Sequence, residues 1–145
     1  MIYVVGFLFS DDRRWVTLIR KNRPEWQAGK YNGVGGKVEV GEAVNDAMVR
    51  EFYEETGVKT KWTDWKEFAL LRGSGDTAVY VFKAVSTKYL SFVKTQTDEE
   101  TMNVLVEHIL ATNEPYPMVP NLPVLIRLAL MDTVKYATLE YESKD

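Results

Sequence analysis

At 145 residues the chain is the size of one domain and can bury a core without staples. Its 46% hydrophobic and 27% charged content is that of a soluble globular protein, and a net charge of −3 lacks the basic surplus of a duplex-binding domain. With no cysteine it can hold neither a disulfide framework nor a thiolate metal site, which fits a reducing, cytoplasmic setting.

Ile2 to Phe9 and Trp15 to Arg20 read as strands split by a polar turn. The first is apolar but too short for a membrane span, and it lacks the basic lead and cleavage site of a signal peptide. Residues 21–35 are rich in Gly, Asn and Pro and read as loop, and Lys37 to Val40 alternates like a short strand. Ala43 to Thr56 has helical spacing, with Gly57 where a stop belongs. Asp64 to Leu71 and Thr77 to Val85 read as strands joined through Gly73-Ser74-Gly75-Asp76. Thr87 to Thr101 reads as loop and Met102 to Glu107 as a further strand. Glu114 to Pro123 holds four prolines and must be irregular. Val124 to Met131 reads as a helix, with Pro123 at its first position. The expectation is one α+β domain over residues 1–145, a mixed β-sheet packed between helices.

The chemistry concentrates between Gly36 and Val58. On a helix, Glu51, Glu54 and Glu55 fall within one turn and share a face, while Val49, Phe52 and Tyr53, with Met48 at the edge, form an arc that can pack on a sheet. Like charges at this spacing cost a few tenths of a kcal/mol per pair. A hard divalent cation would compensate, and carboxylates without Cys or His suit Mg²⁺ or Mn²⁺. Taken alone, such a trio is more often a solvated acidic face paired with Arg50.

The full spacing says more. From Gly36 through Glu42 and Arg50-Glu51-Phe52-Tyr53-Glu54-Glu55-Thr56-Gly57-Val58, the stretch resembles the Nudix box, G-x5-E-x7-R-E-U-x-E-E-x-G-U with U bulky and apolar, at every specified position. Seven fixed residues would coincide by chance on the order of once in a billion start points. The resemblance implies a Nudix fold, an α/β/α sandwich, and a metal-dependent hydrolase of nucleoside diphosphate derivatives. It implies that Glu51, Glu54 and Glu55, with the Gly35 carbonyl, bind Mg²⁺ or its substitute Mn²⁺. Arg50 would orient the carboxylates, plausibly by pairing with Glu42, and Lys37 would contact phosphate. Some members take their general base from the box and others from a Glu before a late strand, so Glu99 and Glu100 are both candidates. The ordinary alternative for this acidic run is a solvated loop.

Residues 26–38 resemble the MutT and 8-oxo-dGTPase branch, as does Pro120-Asn121-Leu122-Pro123-Val124. This implies that Asn32, Asn121 and Trp26 flank or read the base, since an Asn amide offers both a donor and an acceptor to a purine edge. Each also has an ordinary reading: Asn32 in a turn, Asn121 as a helix cap, Trp26 as a loop aromatic. Arg23 could meet phosphates. The implied substrate is a small nucleotide, foremost an oxidised purine deoxynucleoside triphosphate, with no membrane or duplex nucleic acid partner and a homodimer left open. The alternatives are a dinucleoside polyphosphate, ADP-ribose, a nucleotide sugar or a capped RNA, or a non-catalytic nucleotide-sensing module.

Overall fold

The computed structural model describes residues 1–111 and 117–142. A mixed sheet forms the middle layer. Strand β1 (Ile2–Phe9) runs parallel to β6 (Ala78–Val85), in register from Ile2 opposite Ala78 to Phe9 opposite Val85. Beyond β6 lie β5 (Lys66–Arg72) and then β8 (Ala137–Glu140), near the end of the described residues. On the other side β2 (Trp15–Arg20) meets β1 at Phe9 and Val16 and pairs along its far edge with β7 (Thr101–Leu105).

Between β1 and β2 the chain makes a wedge that positions the site. β3 (Tyr31–Asn32) pairs with the end of β2, and β4 (Val34–Lys37) pairs with the start of β1, Val5 opposite Gly35. The glycines that read as loop are what permit this strand. A Cβ on Gly35 would collide with the Val4 carbonyl oxygen, so only glycine lets the two backbones approach this closely. The strand expected over Lys37 to Val40 is therefore displaced: β4 ends at Lys37, and residues 38–43 form the turn into the first helix.

Strand alternation splits the core by face. Val4 and Leu8 point to α1 (Val44–Thr56), where they join Ala47, Met48, Phe52 and Trp65. Phe7 and Phe9 point the other way, to α3 (Val106–Leu110) and α4 (Leu122–Leu130), where they join Ile109, Leu122, Leu125 and Ile126. The result is the expected α/β/α sandwich. Phe52 is fully buried and meets Trp65 edge to face at 5.1 Å. Tyr53, expected to pack on the sheet, is exposed, with the Lys59 ammonium over its ring. It lies one helical step, about 100°, beyond the buried arc of Met48 and Phe52.

Two short helices were not expected. α2 (Thr87–Ser91) lies in the supposed loop, where the Ser86 hydroxyl accepts from the Tyr89 N–H. α3 takes over where β7 was expected to run on to Glu107. Both are near one turn, too short for a hydrophobic period to register. Leu122, not Pro123, opens α4, and Pro123 is the second residue, where a missing N–H is equally harmless. Part of the irregular stretch from Glu114 lies outside the described residues. Within the rest, the Pro117 carbonyl accepts from the Tyr31 N–H and the Val119 N–H donates to the Tyr31 carbonyl.

Phe52→Ala is expected to cost roughly 3–5 kcal/mol of unfolding free energy by urea titration, and the exposed Val124→Ala to stay within about 0.5 kcal/mol. Equal losses would contradict this assignment of the core.

Candidate active site

Arg50 organises the carboxylates. Helix α1 presents it toward the turn at residues 38–43, where its Nε and Nη2 donate to the two Glu42 carboxylate oxygens at 2.8 and 2.9 Å. Nη2 also donates to the Lys37 carbonyl at 3.0 Å, which ties the end of β4 to the helix. Nη1 donates to Glu51 at 2.9 Å and, at 3.3 Å, to Glu54. A planar guanidinium can satisfy this fan of acceptors where an ammonium could not.

Glycine again sets the approach. The Glu51 carboxylate rests on the Gly36 backbone, where any Cβ would collide with it. This cradle places an acidic oxygen beside the Gly35–Gly36 peptide. Burial pushes the Glu51 carboxyl above its usual range, Arg50 opposes the shift, and the charges of Glu54 and Glu55 add to it. Glu55 is likewise raised, first by burial, while the Thr97 hydroxyl opposes and the charge of Glu99 adds. Glu42 moves the other way, held below its usual range chiefly by its bonds to Arg50.

The acidic loop before β7 meets this cluster. Thr97 Oγ1 donates to Glu55 Oε2 at 3.0 Å. Glu99 is buried, and its carboxylate accepts from the Asn22 N–H at 2.6 Å and from Lys21 Nζ at 3.4 Å. Glu100 is exposed, and its carbonyl accepts from the Arg20 N–H. Arg23 is exposed and paired with Asp98 at 2.8 Å. The Lys37 side chain is exposed at the end of β4.

The base-reading candidates lie on neighbouring segments. Asn32 sits on β3 beside Tyr31, whose backbone is bonded to residues 117 and 119, two positions before Asn121. Asn32 Oδ1 accepts from the Gly33 N–H at 2.8 Å, a local turn bond. Asn121 stands at the start of α4 but makes no side-chain capping bond. Trp26 lies in a one-turn 3-10 helix, half-buried against the α4-side core.

The donor set fits a hard cation: carboxylate oxygens, a glycine cradle, and two half-buried carboxyls whose charged form is costly without a partner. The side chains do not stand as a closed cage. Among the described residues no group of three His, Cys, Asp or Glu side chains is close enough to hold an ion. Two surface cavities, of about 470 Å³ at the β5–β6 turn and about 390 Å³ beside Lys66 and Lys83, touch none of these residues. Thr97 and Glu39, the latter 3.9 Å from Arg50, were not singled out by sequence. The Thr-x-Glu pattern, a hydroxyl two residues before a backbone N–H it can bind, was the available signal for Thr97.

The model of the NUDIX domain matches residues 1–122, and the chain belongs to the Nudix hydrolase family. Its fold is similar to that of a MutT described for Aliivibrio salmonicida and Vibrio cholerae, at 22% identity and TM-score 0.69, covering 87% of this chain and 94% of that one. It is also similar to a MutT from Bacillus halodurans, at 18% identity and TM-score 0.71, covering 97% and 90%. The NUDIX domain of NrtR from Shewanella oneidensis, solved with ADP ribose, is similar at 17% identity and TM-score 0.72, covering 89% and 85%. Nudix hydrolases act on phosphoric anhydrides and generally use divalent metals. No helix among the described residues is long and apolar enough to cross a membrane.

The Glu42–Arg50 pair makes a pH prediction. Because the folded-state carboxyl is depressed, its contribution is present above the ordinary glutamate value and lost as pH falls through the folded one. Glu51 and Glu55 act with the opposite sign, their cost being relieved as pH falls below their raised values. Glu42→Gln should therefore be less stable than the parent at pH 7, with the gap closing below about pH 4 in urea titrations. A gap independent of pH would contradict the assignment.

Proposed function

We propose that the chain is a Mg²⁺-dependent pyrophosphohydrolase, with Mn²⁺ as substitute, that cleaves purine deoxynucleoside triphosphates, oxidised guanine nucleotides among them, to the monophosphate and pyrophosphate. The observation that carries the reading is the intact box in its folded setting. Arg50 is locked on Glu42 and presents Glu51 over Gly36, beside Glu54 and Glu55.

Glu51, Glu54, Glu55 and the Gly35 carbonyl hold the ion. When bound, it neutralises the pyrophosphate and lowers the pKa of a water. Arg50 keeps the carboxylates in place, and Lys37 and Arg23 meet phosphate oxygens, Arg23 after leaving Asp98. Of the two base candidates, Glu99 couples electrostatically to Glu55, whereas the Glu100 side chain is exposed. Asn121 and Asn32 read the base and Trp26 flanks it. The Tyr31 bridge, which brings their segments together, and an Asn121 side chain that makes no capping bond support this.

The second reading is another nucleoside diphosphate derivative, and the likeness to a domain solved with ADP ribose favours it over the remaining alternatives. The complete set of box glutamates argues against a non-catalytic sensing module.

Pyrophosphate release should require Mg²⁺ or Mn²⁺ and stop in excess chelator, and Glu54→Gln should lose roughly two orders of magnitude in kcat while keeping its fold. Turnover within a few-fold of the parent would remove Glu54 from the ion site. For the substrate, Asn121→Ala should lower kcat/KM for the preferred purine by roughly ten- to a hundred-fold and affect dCTP less. Equal losses on dGTP, 8-oxo-dGTP, dATP and dCTP would mean that Asn121 does not read the base.

A further inference from the structure

Of the three box carboxylates, Glu51 and Glu54 are held by Arg50. Among the described residues no cation forms an ion pair with Glu55. Its hydrogen-bond partner is the Thr97 hydroxyl, 42 positions away in sequence.

The direction of that bond is imposed by the loop. Thr97 Oγ1 accepts the Glu99 N–H at 3.0 Å, the two-residue turn that Thr side chains make with their own backbone. One hydroxyl proton then remains to be placed. It can go to the charged Glu55 oxygen at 3.0 Å or to the neutral Glu99 carbonyl at 3.5 Å, and the shorter, charge-assisted bond wins. The loop is itself clamped. The buried Glu99 carboxylate accepts from Asn22 N at 2.6 Å, and Lys94 N donates to the Thr56 carbonyl at the end of α1. Thr97 is thus a fixed donor mounted on a braced loop, aimed at one oxygen of one box glutamate.

We infer that Thr97 is a positioning residue for Glu55: it orients this carboxylate for the divalent ion as Arg50 orients the other two, but without a positive charge that would compete with the ion. The inference rests on the metal role proposed above for Glu55. A neutral hydroxyl bonded to one oxygen leaves the other oxygen and the full negative charge for the metal. Partners of this kind typically change metal affinity ten- to a hundred-fold when removed.

The test is Mn²⁺ binding to the full chain without nucleotide, read by the loss of the free-ion electron paramagnetic resonance signal, for parent, Thr97→Val, Thr97→Ala and Thr97→Ser. Thermal midpoints are taken in chelator. Val and Ala should each weaken Mn²⁺ binding about ten-fold or more, Ser should stay within about three-fold, and Val should add no further loss in a Glu55→Gln background. Ala keeps the test open should Val fail to fold. Val and Ala variants that bind Mn²⁺ like the parent, even with lowered midpoints, would make Thr97 a merely structural loop residue and overturn the inference. Ser as weak as Val would also overturn it. A parent that takes up no Mn²⁺ would instead overturn the metal reading on which it stands.

Discussion

The site depends on one half-buried charge pair, Arg50 with Glu42. Two parallel hydrogen bonds fix the guanidinium plane, and its remaining donors reach Lys37, Glu51 and Glu54. Removing Glu42 would leave Arg50 with Glu51, Glu54 and the Lys37 carbonyl, and removing Arg50 would take from Glu42 the ion pair at 2.8 Å. The same fan joins β4, the turn and α1. The placement of the acidic face relative to the glycine strand is therefore an electrostatic constraint as much as a packing one.

Around that pair the structure concentrates features that a stable fold would otherwise avoid. Carboxylates crowd one helical face, two are buried enough for their charged forms to be unfavourable, and Glu51 lies on a glycine backbone. The cost is offset by the apolar faces on either side, with Met48 and Phe52 below α1 and the α3–α4 core on the far side of the sheet. Local conflict supported by a consistent surrounding fold is where function is expected. Nudix hydrolases generally use divalent metals, and on the proposed reading this conflict is what an ion would relieve.

Much of this was legible in sequence because the signals are periodic or fixed in spacing. β1 was placed at its observed bounds, and α1 and β6 within a residue, since each is long enough to show its period. The resemblance to the box implies the Arg50–Glu42 pairing, and the two side chains meet at 2.8 Å. What was missed has physical causes. Gly35 reads as loop, yet it lies in β4 because β1 is too close for a side chain, and at Gly36 the space of a side chain is taken by the Glu51 carboxylate. Tyr53 falls in the arc expected to pack on the sheet, but it lies about 100° past the buried side of Met48 and Phe52 and is exposed. β8 gains its order from pairing with β5, a contact far away in sequence. The turn at Thr97 has a local signal, but its bond to Glu55 has none, because the two lie 42 positions apart.

The central claim is that the Arg50-organised carboxylates over Gly36 form a divalent-ion site. The most direct measurement is Mn²⁺ titration followed by broadening of backbone amide resonances, since paramagnetic broadening falls steeply with distance. The account predicts that signals of residues 35–36, 51 and 54–55 and of Thr97 vanish first, at substoichiometric ion, while those around Lys66 and Lys83 persist. Uniform broadening, or loss beginning away from α1 and β4, would contradict it.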